Sequence, residues 1–513
     1  MQSDAAPEDT RLVRPGIRVY LSSALARHWY VISIALSIAG LIGLASAVAV
    51  PFASAIEIGG DEHFEVTKAM LWERGYPLYE RVWNDQPPLH TAMLMILFQC
   101  FGADIIVARF LAAGFGILLL LGCFILVKER HGILAAYAAT FCLLTAPGVL
   151  RLSIAAMLEL PGIATALWAL WPLQQWRKTG RNYWLAMSAV LAAIALQIKL
   201  TAAVLIPALG VEVLILTLGM CKGKWHKYAI GNLMFWATTM AIAFLSIGIA
   251  FGVDYIQALE SHFSIDSLEA SGAQQHVFSH RVLLGHKEAI WGAGVGLLGF
   301  AFRRDWHRLA FPIVLLFTAG IVHTLHQPYW GYYYLHFALP IAWLLGYGIA
   351  ELYQFAWSKR NSLFSFPFFA LGTVIVGSIL ITLLIADGVS RLTKEVQRIR
   401  ALPRIENDPI VAKMKEHGES TKWVFAQATI YPFHARLSVI PELGVLPAKR
   451  FWSHQFSNRR VWEIVRKYEP EQILLRGLPS QMKDYLEKNY ILVHQTEGDK
   501  PIRLYVSKRI CNQ

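Results

Sequence analysis

In the segment Gly59-Gly60-Asp61-Glu62-His63, two carboxylates sit side by side directly after a run, 29–52, that carries no charge. At a water–membrane boundary an acid can stay ionised or be tuned by partial burial, so one of this pair could serve as a general base. The same residues also make an ordinary helix start, with Asp followed by an amphipathic run over 63–73. The residue types alone leave both readings open.

The elements that must hold these acids belong to a membrane protein. Of 513 residues 55% are hydrophobic and 16% charged, and the mean hydropathy is +0.43, too apolar for a soluble enzyme of this length. A span needs roughly 20 apolar residues, which 29–52 supplies. Further spans are expected near 107–127, 133–147, 160–172, 183–198, 201–220, 229–251, 289–302, 309–323, 332–350 and 364–386, roughly eleven in all. Backbone groups cannot stay unpaired in lipid, so these runs are helices packed as a bundle. The N-terminal 1–28, with Arg11, Arg14, Arg18 and Arg27, reads as the cytoplasmic start of an uncleaved signal anchor. The five cysteines are scattered without CxxC spacing, which supports neither a disulfide framework nor a thiolate metal site.

Basic residues concentrate in alternate connections: Lys128 and Arg130; Arg177, Lys178 and Arg181; Lys222, Lys224 and Lys227; Arg303, Arg304 and Arg308; Lys359 and Arg360. All fall on the cytoplasmic side if 89–101 lies along the membrane or dips into it instead of crossing. The transmembrane module is expected over 29–387, with a first extracytoplasmic loop at 53–109. That loop is acidic and too long for a mere connector. From 388 to 513 hydropathy falls, and β-like runs at 423–426, 472–475, 491–494 and 504–506 alternate with helical ones at 461–468 and 480–489, a small extracytoplasmic α/β domain. It holds 22 Lys plus Arg against 13 Asp plus Glu, a basic face suited to anionic head groups or a phosphate-bearing substrate, or simply solvated. No phosphate-binding glycine loop and no nucleic-acid module is present.

The acidic pair is followed by Gly75-Tyr76-Pro77-Leu78-Tyr79, by Trp83-Asn84-Asp85-Gln86-Pro87-Pro88-Leu89, and then by Gly102 and Arg109. This order resembles the first loop of the GT-C glycosyltransferases, closest to the dolichyl-phosphate-mannose protein mannosyltransferase-like and lipid A aminoarabinose transferase-like branch. The run from Arg151 to Pro161, Gln197-Ile198-Lys199-Leu200-Thr201, and Tyr332-Tyr333-Tyr334-Leu335-His336 resemble later motifs of that family. The basic tail matches its layout. The resemblance implies a polytopic α-helical membrane glycosyltransferase that moves a sugar from a polyprenyl-phosphate donor to an extracytoplasmic glycan, lipid or protein, with inversion. Such a displacement needs a base for the acceptor proton and positive groups or a metal for the departing phosphate.

By the same resemblance Asp61 is the catalytic base, with Glu62 shaping the site. Asp85 falls where relatives hold an acid that binds a divalent metal, and His262 matches a His that joins it, two ligands of types that zinc or manganese accepts. The chain departs from the aminoarabinose branch at Gln86, where relatives carry Lys, and after His262, where an Arg is replaced by Ser-Ile-Asp. Lys199 and Arg281 are expected to take over as phosphate cations, with Arg151 and Lys287 as further candidates. Lys199 is also readable as a basic hairpin tip, and Glu159, beside Pro161, has the same two readings. The aromatic segment 323–336 reads mainly as an interfacial belt, with His336 kept as a substrate-side residue. The competing function is a polytopic transporter or flippase for a lipid-linked or anionic solute. That reading predicts inverted repeats and polar breaks at mid-membrane, which the sequence lacks. A non-catalytic scaffold is the third reading.

Overall fold

The computed structural model describes residues 50–511 except 221–224, 257–277, 280, 304–305, 327, 359–366, 453, 455, 478–481 and 499–500. Residues 29–49 of the expected first span, and His262, lie outside the described residues. Six described helices are long and apolar enough to cross a membrane: Ile105–His131, Leu200–Met220, Tyr228–Ala250, His307–Leu325, Gly331–Gln354 and Ile375–Arg400. Three shorter apolar helices, Leu89–Phe101, Ile133–Leu144 and Asn182–Ile198, accompany them. The chain is a multi-pass membrane protein.

The helices that carry the site are labelled α1 (Glu62–Glu73), α2 (Leu89–Phe101), α3 (Ile105–His131), α4 (Glu159–Trp168), α5 (Asn182–Ile198), α6 (Leu335–Ser358) and α7 (Pro367–Arg400). Lipid is as apolar as leucine, so membrane helices associate through close backbone approach and polar contacts. At the centre is α6, whose Trp343 is fully buried. A Cβ on its Gly348 would lie 2.7 Å from the Gly296 amide nitrogen and 2.9 Å from the Gly292 carbonyl, so the helix Lys287–Arg303 packs directly on its backbone. The peripheral helices Tyr228–Ala250 and Ile375–Arg400 instead leave Ile230, Ile242, Ile249, Ile379 and Leu383 exposed, an outward apolar surface that suits lipid.

The two ends of the bundle differ in chemistry. Near one end of α3, Arg130 donates to both carboxylate oxygens of Glu212 at 2.7 and 3.0 Å, Lys178 pairs with Glu129, and Arg308 neighbours His131. Three of the basic connections thus share one end. Near the other end lies Arg109, about 30 Å away at ~1.5 Å per helical residue, roughly the thickness of a hydrocarbon core. Helix α2 is 13 residues long, about 20 Å, and packs against α1 and α3 at this second end.

Beyond the bundle, the tail forms a four-stranded sheet of order β1-β2-β4-β3: β1 Val424–Ala426, β2 Gln472–Arg476, β3 Tyr490–Gln495 and β4 Ile502–Ser507. β1 and β2 are parallel, and β4 is antiparallel to both β2 and β3. The segment expected as a loop is a structural layer between bundle and tail. Its Leu71, Leu78, Val82 and Trp83 share one core with Ile410, Met414, Val424, Leu474 and Leu504 of the tail. A second core packs Val66 and Met70 of α1 between Phe98, Ala108 and the tail's Phe433. Backbone bonds lock the junction: Ile56 N–H donates to the Pro403 carbonyl and Ile405 N–H to that of Ser54.

Candidate active site

Between bundle and tail lies a cavity of about 540 Å³. Asp61, His63, Glu65 and Lys68 enter it from the start of α1, Trp83, Asp85 and Gln86 from the following turn, Glu159 from α4, and Lys199 from the break after α5. Tyr332 and Tyr333 close it from the turn before α6, and Gln427, Lys449, Trp452 and Arg476 close it from the tail. Four sequence-predicted residues, Asp61, Asp85, Glu159 and Lys199, therefore converge from segments far apart in the chain.

Asp61 is the N-cap residue of α1 by position, yet its side chain makes no cap bond. Its carboxylate faces the cavity, where Tyr332 lines the same wall and feels its charge. The backbone before it is pressed against the second loop, since a Cβ on Gly59 would lie 2.9 Å from the Ala155 Cβ. Only glycine allows that approach.

Asp85 is aimed by a tight polar turn. Asn84 Nδ2 and the Tyr79 hydroxyl both donate to the Gln86 carbonyl at 2.8 Å, and Tyr79 takes a positive φ of 68° to do so. The Asp85 carboxylate accepts from Gln86 Nε2 at 2.9 Å and from the Lys449 ammonium.

Lys199 is no exposed hairpin tip. It follows α5 at a break in helical geometry, is 7% exposed, and its Nζ lies 2.9 Å from Glu159 Oε1. Burial disfavours its charge, but Glu159 outweighs this, with Tyr333 and Asp85 adding, and raises its pKa above that of a free lysine. A second buried pair joins Lys68 to Glu65 at 2.5 Å, with Asn84 Oδ1 accepting from the same ammonium at 3.1 Å. Burial would raise the Glu65 carboxyl, yet Lys68 and His90 bring it down to about 2.

Other predicted residues sit elsewhere. Glu62, expected at the reacting centre, is fully buried and faces away from the cavity. Its oxygens accept from Arg109 Nε at 3.0 Å and Nη2 at 2.9 Å, from Ile58 N–H at 2.8 Å and from Ala156 N–H at 3.1 Å. One carboxylate thus clamps α1 to α3 and to the second loop, and every lone-pair direction is used. Arg151 is drawn off by Glu395 of α7 at 2.9 Å. Arg281 is exposed in the short helix Arg281–Leu284, outside the cavity lining. His336 lies behind the wall, 2.7 Å from His323, with both imidazoles stacked on Tyr333. It therefore supports the Tyr333 wall without reaching the cavity.

Of the two predicted metal ligands, only Asp85 lies among the described residues. Asp85 is engaged by an ammonium and an amide, and among the described residues no three His, Cys, Asp or Glu side chains converge. Lys68 and Glu65 carried a sequence signal, charges i and i+3 on an amphipathic helix. Lys449 and Arg476 carried only the tail's general excess of basic residues and Trp452 carried none, because only the tail's docking brings them in.

The arrangement has known parallels. The fold is that of the GT-C membrane glycosyltransferases. It matches ArnT from Cupriavidus metallidurans in the apo state with TM-score 0.58 and 13% identity, over 95% of this chain and 99% of that one. The same protein bound to undecaprenyl phosphate matches with TM-score 0.54 and 14% identity, over 93% and 98%. The archaeal oligosaccharyltransferase AglB from Archaeoglobus fulgidus, in complex with an inhibitory peptide and a dolichol-phosphate, matches with TM-score 0.53 and 12% identity, over 87% and 69%. Within this fold, residues 85–249 match the dolichyl-phosphate-mannose-protein mannosyltransferase family, a segment that holds Asp85, Arg109, Glu159 and Lys199. No curated protein matches the chain by sequence.

Proposed function

We propose that this chain is a membrane glycosyltransferase that moves a hexose or pentose from a polyprenyl-phosphate donor to an extracytoplasmic glycan, lipid or protein. The observation that carries the reading is Asp61. It is a carboxylate at the head of a helix that it does not cap, beside Tyr332 inside a cavity whose opposite walls bring in lysines. Asp61 takes the acceptor hydroxyl proton as that oxygen attacks the anomeric carbon from the face opposite the phosphate. The carbon–oxygen bond to the phosphate breaks, its electron pair leaves with the phosphate oxygen, and the configuration inverts. Lys199, already charged and buried, stabilises the phosphate as negative charge collects on it. Lipid phosphates in the two matched structures support a lipid-linked donor. The tail, 388–513, is extracytoplasmic on this reading, with residues 1–28 cytoplasmic and the bundle in the cell membrane. No step is assigned to a metal.

Asp61→Asn tests the assignment. Loss of a general base costs about 10²–10⁴-fold in rate, so envelope glycolipids and glycoproteins from cells making the variant should lose the added sugar mass seen with wild type. Membrane insertion and undecaprenyl phosphate binding should be unchanged. Full transfer by Asp61→Asn would remove the base assignment. Movement of lipid-linked sugar with no acceptor gaining mass would favour the transporter reading.

A further inference from the structure

Three ammonium–carboxylate pairs line the cavity, and they are not equivalent. Lys68–Glu65 and Lys199–Glu159 are sealed, with side chains 9% exposed or less. Separating either pair would strand a charge in a dry site, which is strongly unfavourable. Lys449–Asp85 differs in three respects. The Lys449 side chain is 30% exposed, so its ammonium can reach solvent or a ligand by rotating its own stem. Asp85 keeps a second donor, Gln86 Nε2 at 2.9 Å, when that ammonium leaves. The backbone under Lys449 is pinned by its neighbour Arg450, which donates to the Glu442 and Val445 carbonyls at 2.9 and 3.0 Å and lies over the Trp83 ring. Only the lysine side chain has to move.

The place that Asp85 occupies also matters. Asp85 lines the same cavity as Lys199 of the bundle and Lys449 of the tail, and its carboxylate pairs directly with the second. An anion there is bracketed by two ammonium groups from separate parts of the fold. Resting on the donor chemistry of the preceding subsection, we propose that Asp85 is a resident stand-in for the donor phosphate. When that phosphate enters, Lys449 leaves Asp85 and pairs with it. The tail then supplies a substrate-binding cation, and Asp85 competes with the substrate instead of binding it.

Binding of undecaprenyl phosphate to the full chain in nanodiscs, with undecaprenol as the uncharged control, tests this. A lost charge-assisted contact corresponds to roughly tenfold or more in affinity. Lys449→Ala should therefore weaken undecaprenyl phosphate binding by about that factor and leave undecaprenol unchanged, while Lys449→Arg stays within a few-fold of wild type. Asp85→Asn should bind undecaprenyl phosphate as tightly as wild type or tighter, because the competitor is neutralised. Lys449→Gln serves the same comparison if the alanine variant loses its melting transition. Wild-type affinity in the Lys449 variants overturns the proposal, as does Asp85→Asn weakening binding as much as Lys449→Ala. A wild-type chain that does not prefer undecaprenyl phosphate over undecaprenol overturns the lipid-phosphate reading, and this proposal with it.

Discussion

Removing the Glu62 carboxylate should unfold the junction on which the cavity is built. In Glu62→Ala the Arg109 guanidinium, fully buried, keeps among the described residues only the Phe52 carbonyl at 2.7 Å. Breaking one partner of a buried ion pair costs about 3–5 kcal/mol. The Ile58 and Ala156 amides lose their acceptor in the same step, at about 1–3 kcal/mol for each group left unpaired. Even the lower end of that range is a large part of a stability margin of about 5–15 kcal/mol. The assay is unfolding of the purified chain in mixed micelles, with melts compared at one fixed scan rate. Glu62→Ala should lose at least about 3 kcal/mol, and adding Arg109→Ala should recover part of that by removing the stranded charge. A loss under about 1 kcal/mol, the scale of a surface pair, would refute the clamp. Glu62→Gln separates clamp from chemistry. It should keep its turnover per folded molecule, whereas a variant that melts like wild type but transfers no sugar would make Glu62 a reacting group after all.

Two further outcomes follow from charge and packing. Lys68 and His90 bring the Glu65 carboxyl down to about 2 in the folded chain from its ordinary 4.5, so its ionised form stabilises the fold fully above about pH 4.5. That contribution is lost as the pH falls toward 2. Lys68→Met removes the main charge holding it down, so the variant should melt below wild type at pH 7, with the gap narrowing below about pH 4.5. A gap constant from pH 7 to 3 would contradict this. Gly348→Ala places a Cβ 2.7 Å from the Gly296 nitrogen, where only backbone can yield. The two helices must part at about 1–3 kcal/mol, and an unchanged melt would show that the contact is slack.

Local pattern carried much of the architecture. The runs read as strands at 472–475 and 491–494 lie within β2 Gln472–Arg476 and β3 Tyr490–Gln495. The helical run at 461–468 lies within Asn458–Tyr468. Each follows from side-chain periodicity, which needs no knowledge of distant residues. The long apolar helices were legible for the same reason, because lipid demands continuous apolar length.

The site was legible only as a set of types. The sequence alone determined that an acidic pair follows the first apolar run and that Asp85, Glu159 and Lys199 lie in segments resembling a sugar-transfer family. The resemblance favoured Asp61 as base with Glu62 shaping the site, but the residue types could not show that the two carboxylates face opposite ways. That choice belongs to the packing of α1, which turns one carboxylate into the cavity beside Tyr332 and the other toward Arg109, 47 positions away. Nor could the sequence bring Lys449 to Asp85, 364 positions apart. Those pairings exist because Leu71, Val82 and Trp83 share a core with the tail, and a core shared across hundreds of residues leaves no periodic trace along the chain. Tertiary structure alone decided which charges face the cavity and which hold it up.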